Sequence, residues 1–213
     1  MKKKNQHYSS KYPDVDLKIH TVAASLRKHL YIFKTTTGVF SYKKLDLGTR
    51  IFIEHIYIPQ EKRVLLDLGC GYGVIGIVLG NESPQSEVYM TDVNKRAIWC
   101  AKENVKYNLP NSRDRVHVIT GPYFQPFAGK EISFDGVYIN PPVRQGREDF
   151  LNLCDQLPYY LKKKGYFQFV MRKKMGAAYV LDYLKKHRPE DKITVICKRS
   201  GYWVIALQKL AQY

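Results

Sequence analysis

Short apolar runs alternate with segments of helical periodicity from about Arg63 to the end of the chain. Seven runs predict strands, at 63–69, 87–92, 115–120, 134–140, 165–172, 192–198 and 202–210. Apolar side chains at helical spacing predict helices at 74–81, 94–107, 150–161 and 176–187. This alternation predicts a parallel sheet with helices on both faces.

The last two predicted strands are joined by residues 199–201 without a helix, which is typical of antiparallel neighbours. The pattern therefore predicts a Rossmann-like α/β fold, with a mostly parallel sheet of seven strands and an antiparallel last strand. Upstream, "DLKIHTV" (16–22) and "KHLYIFKTT" (28–36) predict a β-hairpin and residues 46–57 a short helix. Because this part is too small for its own core, we interpret residues 1–60 as an extension packed on a domain of residues 61–213.

The charge balance is strongly basic. Lysine and arginine total 35 against 19 aspartates and glutamates, a net charge of +16, which favours a polyanionic partner, nucleic acid before an acidic membrane. A merely solvated basic surface is the alternative. The four cysteines have no CxxC spacing, which argues against a zinc site or a disulfide framework. No secretory signal or membrane-length apolar run is visible, so we expect a cytoplasmic protein that does not bind a membrane. We also expect no bound metal, and we slightly favour a monomer.

The glycine-rich stretch "DLGCGYGVIG" (67–76) lies between the first of these predicted strands and the helix that follows it. Gly71, Gly73 and Gly76 match GxGxxG, the dinucleotide fingerprint, and Asp92 at the end of the next strand is placed to hold a ribose diol. The same stretch is also a DxGxGxG loop headed by Asp67. A negative side chain there disfavours a pyrophosphate and suits a ligand with an ammonium group, such as S-adenosylmethionine.

Three stretches, "DLGCGYG", "TDVN" and "INPP", in this order and spacing, resemble class I S-adenosylmethionine-dependent methyltransferases. More narrowly, "HYSSKYP" (7–13), "GVFSYKKLDLGT" (38–49), "NPPVRQG" (140–146) and "GYWVI" (201–205) resemble the methyltransferase small domain family. That family includes small-subunit ribosomal RNA guanine-N(2)-methyltransferases and short single-domain archaeal relatives. The resemblance begins at about His7 and continues to the C-terminus.

The resemblance implies a role for each matching position. The implied cofactor contacts are Phe40, Ser41, Asp67, Gly69, Cys70, Gly71, Gly73, Asp92, Val93, Asn94 and Asn140. Among these, the glycines line the amino-acid moiety, Asp67 lies near the ammonium group, and Asp92 takes the ribose hydroxyls. Phe40 and Ser41 close over the cofactor. The implied catalytic residues, which hold the target amine, are Asn140, Pro141, Pro142 and Val143.

Three departures from the family pattern stand out. Gly121 and Pro122 replace an acidic or amide residue that reads the adenine amino group, so backbone alone is left to read it. Val143 follows the two prolines where an aromatic often stacks on the target base. The large bacterial members have an extra N-terminal half that this sequence lacks.

The chemistry of amine methylation explains the Asn-Pro-Pro turn. An exocyclic aromatic amine is a poor nucleophile because its lone pair is delocalised into the ring. Acceptors on its two N–H groups localise and aim that pair without a strong base. Asn140 Oδ1 can be one acceptor and the carbonyl of Pro141 the other, held rigid because both prolines fix the turn.

These observations predict a methyltransferase acting on the exocyclic amine of a base in RNA, with guanine in ribosomal RNA as the first candidate. Arg144 and Arg147 flank the turn and are the expected phosphate contacts. The first rival is an amine methyltransferase acting on a protein glutamine or a small molecule. The others are a dinucleotide-dependent oxidoreductase and a non-catalytic RNA-binding protein.

Overall fold

The computed structural model describes residue 11 and residues 13–112, 114–142 and 146–210. The strands are β1 (Ile19–Leu26), β2 (His29–Thr36), β3 (Val64–Leu68), β4 (Glu87–Asp92), β5 (Val116–Thr120), β6 (Phe134–Ile139), β7 (Leu161–Arg172), β8 (Lys192–Arg199) and β9 (Tyr202–Gln208). The α-helices are α1 (Leu47–His55), α2 (Val74–Glu82), α3 (Lys95–Asn108), α4 (Glu148–Tyr160) and α5 (Ala177–His187). No helix in these ranges is long and apolar enough to cross a membrane.

Seven strands form one sheet in the order β5-β4-β3-β6-β7-β9-β8. The pairs from β5 to β7 are parallel, whereas β9 runs antiparallel to both β7 and β8. From β3 the chain moves outward through β4 to β5, returns to β6 beside β3, and then moves outward in the other direction to β7. The strand order therefore reverses between β3 and β6. The predicted fold class, including the antiparallel last strand, is confirmed.

Buried side chains form one core on each face of the sheet. Helices α1, α2 and α3 and the β1–β2 hairpin cover one face, and α4 and α5 cover the other. Alternation along a strand decides which core a side chain enters. On β3, Leu66 and Leu68 face α4 and α5, so Asp67 faces α2. On β6, Tyr138 lies in the core below α1, and the same alternation turns Asn140 toward α1.

The N-terminal hairpin is a separate two-stranded antiparallel sheet. β1 begins at Ile19 and ends at Leu26, later than predicted, because the chain turns at Arg27 and Lys28. Both turn residues have positive φ, 45° and 67°, although neither is glycine. The Arg27 side chain donates to the carbonyls of residues 53 and 56 at the end of α1, which holds this turn in place.

The N-terminal part covers one face of the sheet. Strand β2 packs against α3, and α1 packs against β7 and β9. The proposed division of the chain at residue 60 stays a prediction.

Strand β7 starts at Leu161, four residues earlier than predicted, so Lys162, Lys163 and Lys164 lie inside the strand and not before it. Its pairing with β6 shifts register here, and Lys164 has a positive φ of 64°. This irregularity lets the strand continue through the lysines. They lie at the amino end of β7, on the edge of the sheet opposite to the glycine-rich loop and Asn140. We call these two edges the amino edge and the carboxyl edge.

Candidate active site

A cavity of about 190 Å³ opens at the carboxyl edge between β3, β4, β6 and the segment before α1. It lies where the strand order reverses, the expected place for a ligand in an open α/β sheet. This cavity brings together most of the site residues that were predicted from the sequence. They are Phe40, Ser41, Gly69, Cys70, Gly71, Asp92, Val93, Asn94, Asn140, Pro141 and Pro142.

The glycine-rich loop forms an open cradle along this cavity. Gly69 and Gly71 have positive φ of 66° and 57°, and a Cβ atom built on either would meet no atom within 4 Å. The backbone here therefore faces empty space and not packed side chains. A ligand can approach it closely, which fits the amino-acid moiety of S-adenosylmethionine.

Gly73 does not line the cavity. A Cβ on Gly73 would lie 2.9 Å from Met90 Cε and 3.4 Å from Ala101 Cα, and a Cβ on Gly76 would lie 2.6 Å from Met90 Cγ. These two glycines let α2 pack against β4 and α3. At the last two positions of the GxGxxG pattern, Gly73 and Gly76, glycine is therefore required for helix–strand packing and not for ligand contact.

Asp67 lies beneath the loop with no exposed surface and outside the cavity wall. Its Oδ2 accepts from the Gly76 N–H at 2.8 Å, and its Oδ1 has no partner. Burial raises the pKa of this carboxyl to about 7, because the charged form is poorly solvated there. Its predicted place near the ammonium group of the cofactor stays a prediction, and the structure connects it to the cavity only through the loop.

Asp92 at the end of β4 shapes the same loop. Its Oδ2 accepts from the Gly71 N–H and its Oδ1 from the Asn94 N–H, both at 2.8 Å. Burial raises the pKa of Asp92, and these N–H donors oppose that rise. Burial also raises the pKa of the Cys70 thiol, with the nearby Asp92 as the second cause. The thiol therefore stays neutral, which is unsuitable for a nucleophile.

The segment before α1 covers the cavity from the N-terminal side. Asn94 caps α3, and its Nδ2 donates to the Gly38 carbonyl at 2.8 Å. Arg96 donates to the Thr37 carbonyl at 3.1 Å. These two bonds anchor the segment on the start of α3 and bring Phe40 and Ser41 into the cavity wall.

Asn140 is held in one orientation by α1. Its Nδ2 donates to Thr49 Oγ1 at 2.8 Å and to Asp46 Oδ2 at 3.2 Å. A carboxylate can only accept, so the amide nitrogen must face α1 and the amide oxygen must face away from it. No donor among the described residues bonds to Asn140 Oδ1. The role of this atom as an acceptor for the target amine stays a prediction.

Asp46 and Thr49 are site residues that the sequence reasoning missed. Asp46 is the N-cap of α1 and accepts from the Thr49 N–H at 2.9 Å. The signal was present in "LDLGT", where an Asp three residues before a Thr at the start of an apolar periodic segment indicates a helix N-cap. Its second role, orienting Asn140, depends on a contact across 94 positions of sequence.

Several predicted substrate contacts lie outside the cavity or outside the described residues. Val143 and Arg144 belong to the undescribed residues. Arg147 lies at the start of α4, where its guanidinium carbon is 4.6 Å from the ring centroid of Tyr179. Tyr123 lines the cavity beside Gly121 and Pro122. The cavity wall at this place therefore has an aromatic side chain in addition to the backbone that was expected to read the adenine.

The described residues contain no cluster of side chains suited to a metal ion. Across residue 11 and ranges 13–112, 114–142 and 146–210, no group of three His, Cys, Asp or Glu side chains could hold a metal ion. The arrangement provides a backbone cradle, a carboxylate whose two oxygens each accept from a backbone N–H, and an amide oxygen that faces away from α1.

Comparison with known proteins agrees with this geometry. The family model "Methyltransferase small domain" matches residues 30–206. The uncharacterized protein YbxB of Bacillus subtilis is 30% identical over 206 residues, which are 97% of this chain and the whole of that protein. Ribosomal RNA small subunit methyltransferase C of Photorhabdus laumondii is 33% identical over 143 residues, 65% of this chain and 40% of that protein.

A solved structure shares the fold. The 16S rRNA N2 G1207 methyltransferase of T. thermophilus, in complex with AdoMet and guanosine, has a TM-score of 0.74 and 20% identity, and the match covers 92% of this chain and 52% of that one. The chain thus spans about half the length of the ribosomal RNA methyltransferases that it matches. The predicted cofactor, S-adenosylmethionine, is confirmed at the level of the family, and the chain belongs to the methyltransferase small domain family.

Proposed function

We propose that this protein transfers a methyl group from S-adenosylmethionine to the exocyclic amine of a base in RNA, with guanine in ribosomal RNA as the first candidate. The observation that carries the proposal is the amide of Asn140. Its nitrogen donates to Asp46 and Thr49, and no described residue donates to its oxygen, which lies at a cavity that the glycine loop lines.

The residues around the cavity fit the cofactor. The open backbone at Gly69 and Gly71 has room for its amino-acid moiety, and Asp92, the residue proposed to hold its ribose, lines the same cavity. Bound S-adenosylmethionine would supply a methyl group from its sulfonium, and the neutral thioether that remains is a good leaving group. The remaining requirement is to orient the acceptor.

Asn140 and the Pro141 carbonyl supply that orientation. In the proposal, each accepts one hydrogen of the target amine, so that the nitrogen lone pair points at the methyl carbon. The nitrogen–carbon bond forms as the carbon–sulfur bond breaks. The amine, now cationic and acidic, then releases a proton to solvent, so no strong base is needed. Among the described residues, the cavity lining contains no histidine.

Two observations favour RNA over a protein glutamine or a small molecule. The net charge of +16 suits a polyanion. Two relatives, from Photorhabdus laumondii and from Pseudoalteromonas atlantica, bear the name of ribosomal RNA small subunit methyltransferase C, at 33% and 31% identity. A cytoplasmic location and a monomeric state remain predictions that accompany the proposal. A paired target base would have to leave its stack to enter the cavity.

Labelled S-adenosylmethionine tests this proposal. The protein is incubated with separate fractions of ribosomal RNA, transfer RNA and protein, and the labelled product is digested and identified. We expect label in ribosomal RNA as N2-methylguanosine. Label in glutamine or only in the protein fraction would contradict the RNA assignment, and label in another base would correct the base.

A further inference from the structure

A strip of cations runs along the carboxyl edge away from Asn140. It consists of Arg147, Arg172, Lys173, Lys174, Lys198 and Arg199, which we call the basic strip. We infer that the basic strip binds the RNA strand next to the target nucleotide, through phosphates and stacked bases. This inference rests on the proposed function and extends it by assigning the surface that holds the substrate.

The first support is the charge of the segments that carry most of the strip. Residues 165–181 and 192–210 contain no aspartate or glutamate. Among the described residues, none of the strip's side chains is in an ion pair. Arg172, Lys173, Lys174, Lys198 and Arg199 are also all exposed. Uncompensated cations of this density attract a polyanion.

The second support is the interleaving of aromatic rings with the cations. Arg147 lies 4.6 Å from the ring centroid of the half-exposed Tyr179, and Lys198 Nζ lies 4.1 Å from that of Trp203. Arg172 donates from Nε to Tyr202 Oη at 2.7 Å, but the Tyr202 ring is buried, so Tyr179 and Trp203 are the partly exposed rings of this set. Alternation of cations and aromatic faces is characteristic of surfaces that bind single-stranded nucleic acid.

The third support is the geometry of the sheet. Arg172 on β7 pairs with Tyr202 on β9, which pairs with Arg199 on β8, so the two arginines belong to one row across three strands. Adjacent strands are about 4.8 Å apart, which places the backbones of that row over roughly 10 Å. Strand β7 is the neighbour of β6, which ends at Asn140. A strand of RNA whose base enters the cavity can therefore continue over this row.

Two lysine pairs provide a matched test. Lys173 and Lys174 lie in the strip, in the short 3-10 turn after β7. Lys185 and Lys186 are also adjacent and exposed, but they lie in the last turn of α5, which leads away from the carboxyl edge. The variants Lys173→Glu/Lys174→Glu and Lys185→Glu/Lys186→Glu change the net charge equally, so any difference between them reports position.

The measurements are fluorescence anisotropy with a short labelled single-stranded RNA containing one guanosine, and calorimetry with S-adenosylhomocysteine. We expect the strip variant to bind the RNA at least about tenfold more weakly. Its slope of log affinity against log salt should be smaller by about 1.4, since each phosphate contact on a single strand contributes about 0.7. The control variant should keep most of the wild-type RNA affinity, and both variants should bind S-adenosylhomocysteine like the wild type.

Each remaining outcome overturns part of the account. Equal weakening by both variants would show that RNA responds only to the total charge, which overturns the strip. Wild-type RNA binding that neither variant weakens would place the RNA on another surface and leave the proposed function intact. A wild-type protein that binds no RNA while it methylates a protein or small molecule would overturn both the strip and the RNA assignment.

Discussion

The two edges of the sheet each carry a cavity and basic side chains, but they treat their polar groups differently. The cavity at the amino edge has a volume of about 330 Å³. Both carboxylates in its lining are paired: Asp135 Oδ2 is 2.8 Å from Lys162 Nζ, and Glu61 is paired with Arg63. Asp135 also accepts from the Val64 N–H at 2.9 Å. The cavity at the carboxyl edge contains the open glycine loop and the amide oxygen of Asn140, to which no described residue donates.

Two amide side chains on neighbouring strands show the same contrast. Gln168 on β7 is buried, accepts from the Tyr57 N–H and donates to the Tyr57 carbonyl, both at 2.8 Å. Both ends of this amide are satisfied, so it ties the sheet to the chain after α1. Among the described residues, Asn140 has partners only for its nitrogen. An amide with one unsatisfied end therefore distinguishes the carboxyl-edge cavity within this part of the chain.

The largest expected effect comes from truncating these two amides. Asn140→Ala should lower kcat at saturating cofactor by about 10²–10³, since loss of one aimed polar contact has that cost, with cofactor affinity nearly unchanged. Gln168→Ala should do the reverse: it should lower the free energy of unfolding while the folded fraction keeps its kcat. Methyl-transfer kinetics and denaturant unfolding of both variants check this. A full rate for Asn140→Ala would place the target amine elsewhere.

Two glycines of the same loop give a second, smaller contrast. Gly69 and Gly73 both have positive φ, so alanine is strained by about 1 kcal/mol at either position. At Gly69 the new methyl group enters the open cavity, and we expect S-adenosylhomocysteine to bind about tenfold or more weakly. At Gly73 it meets Met90 and α3, and we expect a larger loss of unfolding free energy. Similar binding by both variants would contradict the assignment of Gly69 to the cradle.

A buried carboxyl beneath the loop gives the smallest effect, a dependence on pH. The pKa of Asp67 is raised, so its contribution to stability is fully present below about pH 4 and is lost as the pH rises through about 7. Asp67→Asn removes this loss. The free energy of unfolding of the variant relative to the wild type should therefore increase between pH 5 and pH 8, by about 2–3 kcal/mol. A constant difference across this range would show that Asp67 is already charged at pH 5, so that its pKa is not raised in the folded protein.

Local pattern was sufficient to predict the sheet and the α-helices, and the resemblance to the family supplied most of the residues that line the cavity. The alternation that buries Leu66 and Leu68 is visible in sequence, and so is the glycine loop that follows. The failures have a common physical origin. The hairpin turn at Arg27 contains no turn-forming residue and depends on contacts with α1. The start of β7 was missed because strand pairing continues through an irregularity at Lys164.

The role of Asp46 was missed for the same reason. The local pattern indicates only a helix N-cap, whereas the bond to Asn140 exists because the start of α1 and the end of β6 meet in the folded chain. The roles of the glycines were also only partly visible. Spacing alone cannot distinguish Gly69, which faces a cavity, from Gly73, which faces Met90.

Coupling between positions 46 and 140 tests the orientation of Asn140 most directly. In the wild type, Asn140 Nδ2 and Asp46 Oδ2 are 3.2 Å apart. Asn140→Asp replaces this contact with two facing carboxylates, whose repulsion should misorient the oxygen that accepts from the target amine and leave only partial activity. Asp46→Asn keeps an oxygen to cap α1 and should alter the wild-type rate little.

The decisive measurement is kcat at saturating cofactor for the wild type, the two single variants and the double variant. The account predicts that Asp46→Asn raises the rate of Asn140→Asp, because it removes one of two facing negative charges, although it does not raise the rate of the wild type. Independent, additive effects of the two substitutions would contradict the claim that Asp46 holds the Asn140 amide in its catalytic orientation.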